Sequence, residues 1–147
     1  MPFLTVGETL RSVPSMQARR PDELPLVFQH HLNASELDGL VANYYADNAV
    51  YAPLPGTAVS GDDLRAAVAR LVTLAASIDI TVRHVLTTGD TALIVLDWEI
   101  SAAGISGTAT DVARRQEDGT WRCIVDNPHG TAQTVDLPPE TAATLAG

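Results

Sequence analysis

Apolar residues recur at helical spacing in three stretches of the first half of the chain. Leu24, Val27, Phe28, His31 and Leu32 share one face behind Asp22, a suitable N-cap, with Pro25 tolerated in the first turn. Asn33-Ala34-Ser35 interrupts the pattern. Leu37, Leu40, Val41, Tyr44 and Tyr45 resume it, with Ser35 and Asp38 spaced as a short capping box. Asp47-Asn48 turns the chain into an extended piece, Ala49 to Ala52, followed by the loop Pro53-Leu54-Pro55-Gly56. Gly61-Asp62 opens a third helix running to about Ser77, with Leu64, Val68, Leu71, Val72 and Ala75 on its buried side.

From Ile78 the period changes to two. Ile78, Ile80 and Val82 alternate with Asp79, Thr81 and Arg83, and Gly89-Asp90 marks a hairpin. Strands are expected over Thr91 to Ala102, Ile105 to Gln116 and Trp121 to Pro128, joined by short turns at Ala103-Gly104 and Glu117-Asp118-Gly119-Thr120. Helices first and long antiparallel strands afterwards predict an α+β fold, a curved sheet with three helices packed on one face. The expected organisation is an N-terminal arm over 1–21, one domain over 22–130 and a tail over 131–147, with Thr141 to Leu145 as one helical turn.

Alternation sorts the strand side chains into two faces without saying which face meets the helices. Asp97 follows the apolar run Ala92 to Leu96, and Asp126 follows Cys123-Ile124-Val125. Aspartate is depleted inside strands, and a buried carboxylate is costly unless paired, hydrogen-bonded or protonated. Two such groups on adjoining strands would form a system for moving protons. Asp111, nearer a strand start, is a third acid of this kind, and His31, beside an apolar helix face, is a fourth candidate proton carrier.

Composition narrows the classes. The chain is 46% hydrophobic and 18% charged, as a globular domain of 147 residues should be. Its formal charge of −9 disfavours nucleic acid and anionic membranes as partners. All nine basic residues are Arg, which removes Schiff-base chemistry and a phosphate-loop lysine and reads as a high-GC coding bias. The lone Cys123 allows neither an intrachain disulfide nor a Cys-based zinc site. No histidine pair stands at metal-binding spacing with a carboxylate, and Gly104 and Gly107 sit in a hairpin rather than a phosphate loop, so no metal or cofactor is expected. The first twenty residues lack the charged start and apolar run of a signal peptide, so a cytoplasmic location is expected.

The segments His31-Leu32-Asn33-Ala34-Ser35-Glu36-Leu37-Asp38-Gly39-Leu40, Tyr45-Ala46-Asp47-Asn48-Ala49-Val50, Gly61-Asp62-Asp63-Leu64-Arg65 and Asp118-Gly119-Thr120-Trp121-Arg122 carry a resemblance to the NTF2-like cone fold. That superfamily includes ketosteroid isomerase, SnoaL-like cyclases and limonene-epoxide hydrolase, and the likeness is closest to small bacterial members. The isomerase's Tyr donor, general-base Asp and protonated Asp fall on Phe28, Ala52 and Asp111, so two of its three groups are missing. The epoxide hydrolase's paired aspartates fall on Asp97 and Asp126, with its Arg on Val95. SnoaL-like cyclases use an acid near Asp126. The resemblance implies that Asp97, Ile124 and Asp126 point into the cone. It implies a wall of Phe28, Leu32, Ala52, Val68, Val72, Val95 and Asp111, and Tyr51 is a candidate donor to a ligand oxygen.

These expectations lead to a cofactor-independent enzyme acting on a small apolar, oxygenated molecule, with Asp126 as general base and Asp97 as partner acid. A non-catalytic binding protein and a scaffold module of the same fold are the alternatives. Trp98 and Trp121 lie opposite Asp97 and Asp126 by alternation. They are therefore expected outside the cone, packing the sheet into a homodimer.

Overall fold

The helical and the alternating stretches fold into two layers. The computed structural model describes residues 16–75 and 77–146. A short helical turn, Pro21–Glu23, leads into α1 (Leu24–Asn33), followed by α2 (Leu37–Tyr44), β1 (Tyr45–Tyr51) and α3 (Gly61–Leu74). Then come β2 (Asp79–Thr88), β3 (Thr91–Ile100), β4 (Ile105–Arg115), β5 (Trp121–Asp126) and α4 (Pro139–Ala146). The five strands form one sheet in the order β1-β5-β4-β3-β2.

The sheet is mixed rather than antiparallel, because β1 pairs parallel to β5. The extended piece expected at Ala49 to Ala52 begins earlier, directly after α2, and joins the sheet as an edge strand. Val59 covers that edge by exchanging backbone hydrogen bonds with Tyr51 at 2.9 and 2.8 Å. At the opposite edge, amide side chains of α1 stand in for a missing strand. Asn33 Oδ1 accepts from the Ile78 N–H at 2.7 Å and Gln29 Oε1 from the Ile80 N–H at 2.9 Å. These bonds fix α1 over the start of β2.

The helices bury their apolar stripes as their spacing predicts: Leu24, Val27, Phe28, His31 and Leu32 in α1, Leu40 and Tyr44 in α2, Leu64, Ala67 and Val68 in α3. The end of the N-terminal arm is ordered, with Ala18 buried and its carbonyl accepting from the Trp121 N–H at 2.9 Å. The rest of the arm, residues 1–15, lies outside the described residues. The tail forms a longer helix than the expected single turn. Thr141 anchors it by donating to the Ala103 carbonyl at 2.8 Å.

Strand faces depart from the expectation. On β3 it is Ala92, Ile94, Leu96, Trp98 and Ile100 that are buried against the helices, while Leu93, Val95, Asp97 and Glu99 face outward. This inverts the assignment that placed Asp97 and Val95 inside and Trp98 outside. Trp121 is also buried, so the tryptophans provide no outer contact surface. The family resemblance places Asp97 and Val95 inside, which does not hold on β3; Trp121 turns inward because of a bulge on β5, where Ala113 pairs with Cys123 and the next residue, Val112, pairs with Val125, so Ile124 is skipped. Trp121, Cys123 and Asp126 therefore all point inward, and counting by twos along β5 fails at Ile124.

Gly130 and Gly89 share a left-handed backbone, with φ of +57° and +56°. A Cβ on Gly130 would stand 2.5 Å from the Thr108 carbonyl oxygen, whereas one on Gly89 meets nothing within 4 Å. Gly89→Ala is expected to cost about 1 kcal/mol from backbone strain alone. Gly130→Ala should cost about 2 kcal/mol more, because the turn after β5 must move off β4. Urea unfolding of both variants measures the difference, and equal costs would show that the turn moves freely.

Candidate active site

Three strands bring Tyr51, Asp126 and Asp111 into one inward-facing row. β1 pairs Tyr51 with Asp126, and the pairing of Val112 with Val125 sets Asp111 opposite Asp126. All three are buried. Tyr45, at the junction of α2 and β1, donates from its hydroxyl to Asp126 Oδ2 at 2.5 Å. The Tyr44 hydroxyl lies close enough to the Asp111 carboxyl to favour its ionised form, and the Asn127 N–H donates to Asp111 Oδ1 at 2.8 Å. The two carboxyl groups are close enough that each acts on the titration of the other.

Burial dominates the electrostatics of this row. It raises the Asp111 carboxyl well above the usual range, and the neighbouring charge of Asp126 raises it further. Burial also raises Asp126, while hydrogen bonds from Tyr45 and Asp111 hold its carboxylate form, leaving it at about 6. The pair therefore gives up one proton near neutrality and keeps the other. Burial, then the charge of Asp126, pushes the Tyr45 and Tyr51 hydroxyls upward. Tyr44 moves the same way, so all three remain protonated donors. The buried Cys123 thiol is likewise raised by desolvation, which keeps it out of nucleophilic chemistry.

The row forms the polar end of a cavity of about 60 Å³. Its walls are apolar: Phe28 from α1, Leu71 from α3, Ile80 from β2, Leu96 and Trp98 from β3, Ile105 from β4 and Leu145 from α4. Tyr44 packs edge-on between Phe28 and Tyr45, with ring centroids 4.9 and 4.8 Å away. At the rim Trp98 lies over Gly107, its cross-strand partner, where a Cβ would come within 3.0 Å of the indole. The indole Nε1 donates to the Pro128 carbonyl at 2.7 Å.

Of the residues singled out in the sequence, Asp126, Asp111, Phe28 and Tyr51 line this cavity. The others stand elsewhere. Asp97 is on the outer face, 39% exposed, where it accepts from Thr108 at 2.7 Å and from Arg83 at 2.7 Å. Those contacts, the Thr108 bond first, lower its pKa, as for a surface carboxylate. Val95 is also on the outer face, and Ile124 is the bulged residue outside the lining. Leu32 and Val68 are fully buried core, and Ala52 and Val72 are half-buried beside the cavity wall without forming it.

His31 is buried between α1 and α2, away from the cavity. Its Nδ1 bonds to Glu36 Oε1 at 2.8 Å, and Asn43 Nδ2 lies 3.3 Å from its Nε2. Its ring sits over Gly39, where a Cβ would come within 2.7 Å. His30, His31 and Glu36 hold potential metal-ligand atoms within 4.8 Å of one another, a cluster that sequence spacing did not reveal. The His31 and Glu36 atoms are already bonded to each other there.

Sequence reasoning missed Tyr44, Tyr45, Trp98 and His129. A tyrosine at a helix end reads as ordinary core. Only the Tyr44-Tyr45 doublet, placing one hydroxyl on each carboxyl, carries a signal, and it needs the strand register to be read.

The folded protein binds the Asp126 proton more tightly than the unfolded chain, in which an Asp titrates near about 3.9. This stabilising contribution is complete below about pH 4 and is lost as pH rises through about 6. Asp126→Asn removes it. The stability of the variant relative to wild type should therefore climb by on the order of 3 kcal/mol between those limits. Urea unfolding across pH 3.5 to 8 measures this, and parallel curves would contradict the assignment.

A sequence model of the SnoaL-like domain matches residues 27–124. No curated protein matches the chain by sequence. Among solved structures, one assigned as a calcium/calmodulin-dependent protein kinase type II association domain from Thiobacillus denitrificans is 20% identical, covers 80% of this chain and 99% of its own, and superposes with a TM-score of 0.63. One assigned as a dehydratase of the NTF2-like family from Streptomyces avermitilis is 18% identical, with 71% and 88% covered and a TM-score of 0.58. An NTF2-like protein of unknown function from Shewanella oneidensis is 15% identical, with 71% and 92% covered and a TM-score of 0.56. At these identities the structures establish a shared fold alone. The helices on a five-stranded sheet share the fold of the NTF2-like structures, and the matched segment, residues 27–124, places this chain in the SnoaL-like domain family.

Proposed function

We propose that the protein is a cofactor-independent acid/base enzyme for a small apolar molecule bearing a carbonyl oxygen. The observation that carries this reading is the Asp111–Asp126 pair at the polar end of an otherwise apolar cavity. Asp126, ionised above about pH 6, takes a proton from the carbon beside the carbonyl. Asp111, which keeps its proton, turns its O–H toward the carbonyl oxygen as negative charge develops there, and the Tyr51 hydroxyl is the second donor. Where a C=C bond lies β,γ to the carbonyl, returning the proton to the γ carbon of the dienolate shifts that bond into conjugation and isomerises the substrate, and attack of the carbanion on an internal electrophile closes a ring. Asp111 thus takes the partner-acid role that the sequence pattern assigned to Asp97.

Deuterium uptake from D₂O at the carbons flanking the carbonyl of cyclohexanone tests the step directly. The wild type should accelerate exchange, with a rate that rises through about pH 6. Asp126→Asn should lower it by roughly 10²–10⁴-fold, and Asp97→Asn should leave it unchanged. Bound ketone without accelerated exchange would favour the binding-protein reading.

We also propose a homodimer formed through the outer face of the sheet, on residues other than the tryptophans. Val50, Val125, Val112, Leu93 and Leu86 pair in turn across β1, β5, β4, β3 and β2, making one apolar row over all five strands. Four of the five are exposed, Leu86 at 64%. A two-fold axis at Val112, the middle of the row, would lay it on its copy and remove it from water. Sedimentation should give twice the mass of one chain for wild type and a single chain for Leu93→Glu. A wild-type monomer at micromolar concentration would overturn the dimer.

A further inference from the structure

Asp111 and Asp126 are both buried and stand on neighbouring strands, so burial by itself does not decide which of them is the base. The donors around the pair are not alike. Asp126 Oδ2 accepts from the Tyr45 hydroxyl at 2.5 Å. Asp111 Oδ1 accepts from the Asn127 backbone N–H at 2.8 Å. A donor favours the ionised form of the carboxyl that it reaches, and a hydroxyl bonded that closely to a carboxylate is among the strongest.

Tyr45 closes α2 in an extended conformation, with φ of −97° and ψ of 138°, and pairs with Cys123 at the start of β1. Its ring is buried edge-on to that of Tyr44, with centroids 4.8 Å apart. Tyr44, Tyr51, Asp111 and Asp126 line the cavity, whereas Tyr45 does not. Its hydroxyl therefore acts on Asp126 from within the wall. The other groups that face the pair are Tyr44 from α2, Tyr51 from β1 and Cys123 from β5, each raised chiefly by burial and so neutral. Arg70 of α3 acts on Tyr51, and His129 lines the same cavity. On Asp111, the Asn127 N–H and then Tyr44 favour ionisation.

Resting on the acid/base reading of this pair, we propose that Tyr45 is a positioning residue that assigns its two roles: the hydroxyl bonded to Asp126 Oδ2 makes Asp126 the base and leaves the retained proton on Asp111, for the carbonyl oxygen of the substrate. Without that hydroxyl the Asn127 N–H and the nearby Tyr44 still favour an ionised Asp111, while Asp126 has lost its donor. The charge then moves to Asp111 and the proton to Asp126. The cavity keeps its walls, but its acid and its base exchange places.

Carbon-13 NMR of the whole chain, labelled at the aspartate carboxyls, reads which of the two titrates. In wild type the Asp126 signal should carry the larger share of the change near pH 6. In Tyr45→Phe the larger share should pass to Asp111, whereas Tyr44→Phe, which loses the other hydroxyl of the doublet, should leave it with Asp126. Cyclohexanone exchange in D₂O should fall in kcat by roughly tenfold or more in Tyr45→Phe, with KM unchanged. A fluorotyrosine at position 45, a stronger donor of nearly the same shape, should lower the Asp126 midpoint, and a midpoint that does not fall overturns the proposal however Tyr45→Phe folds. An Asp126 share that persists in Tyr45→Phe overturns it as well, as does a raised KM with kcat kept. A wild type in which Asp111 titrates first defeats the proposal and the assignment of Asp126 as base together. If the shares exchange as expected while wild type accelerates no exchange, Tyr45 does place the proton and only the acid/base reading fails.

Discussion

The inward turn of Asp126 depends on one skipped residue. Had β5 run regularly from Trp121, its apolar face would have carried Trp121, Cys123 and Val125, and Asp126 would have pointed to solvent. The bulge at Ile124 keeps Trp121 and Cys123 in the core and still delivers Asp126 to the same side, opposite Asp111. Everything chemical about the cavity follows from that local irregularity. Two carboxyls that would each titrate near 4 in water are brought face to face in a dry site, where only one can ionise near neutrality.

The surrounding architecture makes that arrangement tolerable. Tyr44 and Tyr45 close α2 and open β1, so the helix-to-strand junction aims one hydroxyl at each carboxyl. The Asn127 N–H, just past the end of β5, supplies a third donor. The rim is held by contacts of a different kind: Trp98 over Gly107, the indole on the Pro128 carbonyl, and Gly130 pressed against β4. The floor and the packed rim leave an apolar space walled by α1, α3, α4 and the sheet, with Pro53, Pro128 and His129 contributed by the loops.

The helices were legible because their signal is local and repeated. Leu24 to Leu32, Leu37 to Tyr44 and Leu64 to Leu71 each present a stripe that only a helix can bury on one side. The strands of the second half were legible for the same reason with period two. The family segments gave the order of the layers. Faces were less legible. Alternation on β3 was read correctly as two sets, but the choice between them was made through the resemblance, which set Asp97 beside Asp126, and the register of β3 on β4 puts Ile94 rather than Asp97 on the face of Asp111. Asp97 therefore looked like a buried acid although Arg83 and Thr108 hold it at the surface.

By itself, then, the sequence determined the fold class, the run of elements, the absence of a lysine-based chemistry and the short set of acids from which a site could be drawn. Periodicity and composition report what each residue's immediate neighbours can bury, and those are local properties. Only the tertiary structure decided that Asp111 is the partner of Asp126, that Asp97 is not, and that Tyr44 and His129 belong to the cavity. Register across β1, β5 and β4, and the conformation of a single bulged residue, are settled by how the whole sheet packs against α1 and α3. No stretch of chain short of the full sheet contains the information that sets two carboxyls against each other.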